Sequence, residues 1–109
     1  MRPLNFLHRL GHCIPALALL ACAGQAAANE ALARKNDCMG CHAVAVQLVG
    51  PAYKDVAAKY QGDPEAVAKL VKSIREGSTG VWGQLAMPPH PKLSDADLRK
   101  LAKWVLSTK

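Results

Sequence analysis

The pentapeptide Cys38-Met39-Gly40-Cys41-His42 constrains this chain more than any other stretch. C-x-x-C-H is the spacing at which two thiols and an imidazole are committed to one c-type haem. Thiols three positions apart, on about one turn of helix, can each add to one vinyl group of the porphyrin, and the adjacent imidazole then serves as the proximal iron ligand. The competing chemistries lack their complements. A zinc site needs further ligands, and beyond residue 42 the chain has no cysteine and a single histidine, His90. A thioredoxin-like pair needs a βαβ setting, and no such pattern is readable.

The first 28 residues have the layout of a secretory signal peptide. Arg2 and Arg9 form a short basic region, Cys13 to Gly24 is apolar, and Ala26-Ala27-Ala28 offers a small-residue cleavage site, so the mature chain is expected to run from Asn29 to Lys109. An apolar stretch this short falls below the roughly 20 residues that a membrane-spanning helix needs, and no stable membrane insertion is expected. Leu19-Leu20-Ala21-Cys22 also resembles a lipoprotein box, which would tether the domain at Cys22, but the A-x-A site downstream favours cleavage before Asn29. Cys13 and Cys22 then leave with the signal, Cys38 and Cys41 go to haem, and no structural disulfide is expected. Export to the periplasm suits the cofactor, because bacterial c-type haem is attached outside the cytoplasmic membrane.

Residues 29–109 form one small domain with few large apolar side chains. They include no phenylalanine, and their aromatics are Tyr53, Tyr60, Trp82 and Trp104. A core this thin is marginal at such a length, and a covalently held, buried porphyrin would supply the missing apolar mass. The same residues carry 12 Lys and Arg against 8 Asp and Glu. That modest positive balance, without basic runs or interleaved aromatics, favours acidic protein partners over nucleic acid.

Hydrophobic periodicity points to an all-α domain. Residues 29–39 are Ala-rich and helix-favouring, with Leu32 and Lys35 bracketing an interior face. After Gly50-Pro51, residues 52–60 place Tyr53, Val56, Ala57 and Tyr60 at i, i+3, i+4 and i+7. Asp63-Pro64 reads as the start of a helix carrying Val67, Leu70, Val71 and Ile74 on one face and ending near Gly77. Residues 77–91, rich in glycine and proline, read as an ordered loop without regular structure. Ser94 and Asp97 make a capping-box-like start for a last helix with Leu98, Leu101, Ala102 and Val105 inside. No stretch alternates with period two for long enough to make a strand.

A six-coordinate iron needs a distal ligand, and Met87 and His90 are both available. Met87 precedes Pro88-Pro89, whose fixed backbone angles can hold a thioether inward. The strings VGPAYKDVAAKY (49–60), GVWG (80–83), MPP (87–89) and LAKWVLS (101–107), in order after CMGCHA, resemble the small bacterial class I cytochromes c of the c-551 (c8) type. The resemblance implies four to five short helices wrapped around one covalent haem c. It implies Cys38 and Cys41 as attachment points, His42 and Met87 as axial ligands, Pro51 accepting from the His42 ring and Trp82 serving a propionate. Trp104 is implied where the first and last helices cross.

Three departures from that family stand out. His90 occupies a position where Asn usually hydrogen-bonds the methionine sulfur, so it either replaces that bond or makes the potential pH-dependent. Gln84 and Ala86 replace prolines, which loosens the distal loop. Ser73 replaces a propionate-binding arginine, leaving Arg75 or Lys72 as substitutes. The resemblance implies no enzyme activity but a soluble, monomeric one-electron carrier. It would take electrons from a quinol-oxidising complex or another donor and pass them to a nitrite reductase or cytochrome oxidase. Leu48, Val49, Leu85, Pro88 and Pro89 would form an apolar contact rim for such partners. A haem enzyme or gas-binding sensor with an open distal site is the rival reading, with His90 as its distal polar group.

Overall fold

The computed structural model describes residues 16–109, with side chains from residue 24 onward. Arg2, Arg9, Cys13 and the side chain of Cys22, on which the signal and lipoprotein readings draw, lie outside the described part. Four α-helices follow in order: α1 (Ala16–Lys35), α2 (Tyr53–Lys59), α3 (Ala66–Glu76) and α4 (Asp95–Ser107), with one 3₁₀ turn at Cys38–Gly40. Among the described residues there is no strand beyond one isolated antiparallel bridge, Ser78 to Met87. The chain adopts the all-α class I cytochrome c fold, in which α4 packs against each of the other three helices.

Helix α1 differs from the expected 29–39 at both ends. It begins in the Ala-rich segment upstream, where propensity alone favours helix. It stops at Lys35 because Asn36 turns its side chain back onto the Leu32 carbonyl (2.9 Å) and Asp37 enters the left-handed region at φ 61, ψ 16. Short polar side chains tolerate that conformation better than other non-glycine residues, and it ends the helical ladder. Lys35 is exposed rather than bracketing the interior, and the buried contact of this helix is Ala33, 1% exposed. A methyl side chain there lets the backbones of α1 and α4 come close.

The haem-motif segment and α2 are joined by backbone. Tyr53 N–H donates to Ala43 O (2.9 Å) and Lys54 N–H to Val44 O (3.0 Å), so the residues after His42 lie along the start of α2. Tyr53 and Val56 are buried, with Ala57 and Tyr60 half-buried, as the spacing requires. Helix α3 opens later than Asp63-Pro64 suggests. Asp63 first closes a turn, accepting from Glu65 N–H on its carboxylate (2.8 Å) and from Ala66 N–H on its carbonyl (3.2 Å), and the regular helix starts at Ala66. It ends at Gly77, whose φ of 80 suits glycine.

In α4, Ser94 Oγ accepts from Asp97 N–H at 3.1 Å, a cap worth about 1 kcal/mol. The box is one-sided, since the Asp97 carboxylate faces Lys100 Nζ at 3.5 Å instead of reaching back. Leu98, Leu101, Ala102 and Val105 are all buried. Complete burial of one such leucine, Leu98, stabilises the fold by roughly 1.5–3 kcal/mol. The segment 77–91 has more order than its composition suggests. Met87 N–H donates to Ser78 O (2.8 Å), Ser78 N–H to Met87 O (3.2 Å), and His90 N–H to Ile74 O (2.9 Å), which fastens the loop to the end of α3.

Candidate functional site

Between α2, α3, α4 and the loops 41–51 and 77–90 lies a cavity of about 470 Å³. Val56, Leu70, Ile74, Leu101 and Val105 give it an apolar wall. The fold brings Cys38, Cys41, His42, Pro51, Trp82 and Met87 together around this one space, along with His90 and Ser73. Both cysteines are free thiols, Cys38 half-buried and Cys41 exposed.

His42 is held on several sides. Its Nδ1 lies 2.8 Å from the Pro51 carbonyl oxygen, which can only accept, so the proton sits on Nδ1 and Nε2 keeps a free lone pair. The Tyr53 ring stacks on the imidazole at 4.9 Å and 18°. Gly50 comes so close that a Cβ there would overlap Cε1 and sit 2.8 Å from Nδ1 and 2.9 Å from Nε2. Gly50 N–H also donates to Cys41 O at 2.8 Å, closing the loop on the motif itself.

Met87 has both backbone groups bonded to Ser78, and a Cβ at Gly77 would stand 2.6 Å from its carbonyl oxygen. The position of the thioether therefore rests on backbone pairing in addition to the prolines that follow it. His90 borders the same cavity, and its Nδ1 is buried without a hydrogen-bond partner.

Neither substitute expected near Ser73, Arg75 or Lys72, borders the cavity. Ser73 borders the cavity, whereas among the described residues no lysine or arginine does. Arg75 is ion-paired with Asp95 at the start of α4. Residues two apart on a helix point to different sides, and even Lys72 lies a third of a turn from Ser73. Neutral polar groups from Ser73, Ser78, Thr79 and Trp82 line this side of the cavity, and its one carboxylate among the lining residues is Asp37, beside Cys38. One cation reaches the lining indirectly: Lys59 Nζ sits 5.5 Å from the centre of the Trp82 ring.

Leu48 (49% exposed), Val49 (58%) and Leu85 (73%) are exposed, as a contact rim requires, and so are Pro88 and Pro89. Val46, Val81 and Trp82 extend the same apolar exposure. Sequence reasoning missed the first two because an isolated valine in a loop carries no periodic signal.

Burial raises the Cys38 thiol above its ordinary value and raises the Tyr53 phenol strongly; the smaller contribution from charge on Cys38 and Cys41 belongs to the free thiols and ends with thioether formation, which leaves burial as the cause in the haem-loaded protein. A phenol whose folded-state value is raised contributes stability that is intact below its unfolded value, 10.0, and is lost as pH climbs past it. Denaturant unfolding of the haem-loaded protein between pH 9 and 12 is therefore expected to show falling stability above pH 10. Tyr53→Phe, which has no proton to lose, should flatten that decline; an equally steep decline in the variant would assign the alkaline loss to another group.

Haem of the kind that C-x-x-C-H specifies fits these residues. The thiols are unpaired, Nε2 of His42 is free, the backbone at Gly50 is cut back to admit the imidazole, and His90 Nδ1 is a buried polar atom lacking a partner. An apolar cavity of this size in so small a domain is costly to leave unfilled.

Comparison with known proteins agrees. A family model described as Cytochrome c matches residues 26–109. Cytochrome c-552 of Nitrosomonas europaea is 49% identical over 94 residues, covering 86% of this chain and 91% of the relative. Cytochrome c-551 of Pseudomonas aeruginosa is 50% identical over 91 residues, covering 84% and 86%. The crystal structure of wild-type Nitrosomonas europaea cytochrome c552 superimposes with a TM-score of 0.71 at 50% identity, covering 73% of this chain and 99% of that one. With its C-x-x-C-H turn, its cavity and these relatives, the chain belongs to the cytochrome c family as a small class I member that carries one covalent haem c.

Proposed function

We propose that residues 29–109, exported by the signal peptide 1–28, work in the periplasm as a monomeric one-electron carrier between respiratory complexes. The observation that carries this reading is the convergence of two free thiols, an imidazole with only Nε2 available and a backbone-pinned methionine on one apolar-walled cavity. When bound, haem c supplies a ferric/ferrous couple. Cys38 and Cys41 hold the macrocycle through thioethers. His42 offers Nε2 to the metal while Pro51 takes the Nδ1 proton, fixing the tautomer and raising ligand basicity. Met87 offers its thioether, a ligand that raises the potential relative to a second imidazole. Trp82, with the neighbouring hydroxyls, receives the propionates, and the apolar lining keeps water from the metal.

Leu48, Val49, Leu85, Pro88 and Pro89 meet redox partners over a small, weak interface, with lysines further out steering acidic surfaces. A quinol-oxidising complex suits the donor side, and a nitrite reductase or cytochrome oxidase the acceptor side. Electron exchange with a small acidic redox protein should slow as ionic strength rises from 10 to 300 mM, as screening shortens the Debye length; rates flat across that range would remove the steering.

Potentiometry of Met87→Ala tests the ligand assignment. The midpoint should fall by a sizeable part of the roughly 0.8 V that axial ligand choice commands. An unmoved midpoint would make Met87 a core residue and favour the rival reading, a haem enzyme or gas-binding sensor, for which the unpartnered His90 is the supporting feature.

A further inference from the structure

We infer that Tyr53 is a positioning residue for the His42 imidazole: it sets the rotation of that ring and thereby the orientation of the ligand plane presented to the haem iron. The inference rests on His42 being the proximal ligand, as proposed above.

A single hydrogen bond cannot orient a planar ligand. The contact between His42 Nδ1 and Pro51 O, 2.8 Å, fixes one ring atom and leaves the plane free to swing about that point. Tyr53 removes this freedom. Its ring lies 4.9 Å from the imidazole, 18° from parallel, so a swing of the imidazole drives one of its edges into the phenol face. Gly50 limits the ring from its Cε1 side. A Cβ there would be almost equally near Nδ1 and Nε2, 2.8 and 2.9 Å, and such a position lies over the ring rather than beyond its edge.

Tyr53 is itself immobilised, which a positioning residue must be. The side chain is 6% exposed, and Trp104 of α4 meets it edge-on at 5.3 Å and 72°. Its backbone N–H donates to Ala43 O, one residue beyond His42. A chain of contacts thus runs from α4 through Trp104 and Tyr53 to His42, and links the angle of the ligand to the packed core rather than to the surface loop that carries the motif.

The angle matters because the plane of an axial imidazole, together with the sulfur lone pair of the second ligand, sets which iron orbital holds the unpaired ferric electron. That orbital in turn determines how spin density is distributed over the porphyrin rim. Outer contacts that orient a ligand are a known means by which proteins tune a metal centre.

The experiment uses haem-loaded, ferric wild type, Tyr53→Phe and Tyr53→Leu. Electron paramagnetic resonance g values and proton NMR shifts of the four haem methyl groups are recorded, with denaturant unfolding alongside. Tyr53→Phe keeps the stacked ring and should reproduce both the wild-type g values and the order of the methyl shifts. Tyr53→Leu should stay low-spin but change the g anisotropy and reorder or compress the methyl shifts. Spectra of Tyr53→Leu that superimpose on wild type would overturn the inference, even with reduced stability, because stability alone reports a core role. Should Tyr53→Leu fail to accumulate, Trp104→Leu removes the buttress while keeping the stack; it should move the methyl shifts in part, and unchanged shifts would overturn the inference. A wild type with no low-spin ferric signal would instead overturn the ligand assignment in the proposed function, and this inference with it.

Discussion

Serine at both Cys38 and Cys41 is expected to abolish covalent haem retention. Denatured protein should lose its haem stain completely, and the pyridine haemochrome should shift to that of an unattached porphyrin. A hydroxyl does not add to a porphyrin vinyl group as a thiol does, and both proposed attachment points stand on the same 3₁₀ turn, Cys38–Gly40 and the residue after it. The consequence reaches the whole domain. Val56, Leu70, Ile74, Leu101 and Val105 face a cavity of about 470 Å³, and without a tethered occupant they lose contacts on that side. Thermal unfolding of the double variant should move to far lower temperature and lose cooperativity. Haem that survives denaturation in the double variant would mean that these cysteines are not the attachment points.

Gly50→Ala is expected to place a methyl group directly against the His42 imidazole and to destabilise the domain. Its Cβ would overlap His42 Cε1, well inside the contact distance of nonbonded carbons, so either the imidazole or the loop must move. The imidazole is fixed by Pro51 O and Tyr53, and the loop by the bond from Gly50 N–H to Cys41 O. Overpacking at a site with no slack costs about 1–3 kcal/mol, and here the strain falls on His42, the proposed proximal ligand. Denaturant unfolding should show that loss together with a lowered midpoint potential. Gly40→Ala, where a Cβ meets nothing within 4 Å, serves as the control and should change neither.

The parts of this fold that the sequence announces are those governed by local rules. The motif has a fixed spacing, and the last helix has both a cap and an uninterrupted apolar face. The helix 66–76 ends at a glycine. The first helix was harder to read because its stop is a left-handed Asp37, and nothing in Arg34-Lys35-Asn36-Asp37 distinguishes a terminating aspartate from a helical one. The bridge from Ser78 to Met87 joins residues nine apart through backbone alone, so no side-chain pattern reveals it.

Within the site, proximity in sequence misled where proximity in space decides. Arg75 stands two residues from Ser73 yet belongs to an ion pair with Asp95. The stack of Tyr53 on His42 was invisible for the opposite reason. Tyr53 already had a complete explanation as an apolar position on α2, and the stack is seen only in the folded chain, where the backbone bond to Ala43 brings α2 beside His42 and the two rings meet.

The most direct test of a His42/Met87-ligated electron carrier is the optical spectrum of the purified ferric protein at neutral pH, followed by reduction under carbon monoxide. The weak red charge-transfer band of an iron–methionine bond should be present, and carbon monoxide should leave the ferrous spectrum nearly unchanged. Absence of that band, with ready carbon monoxide binding, would contradict the carrier and establish an open distal site.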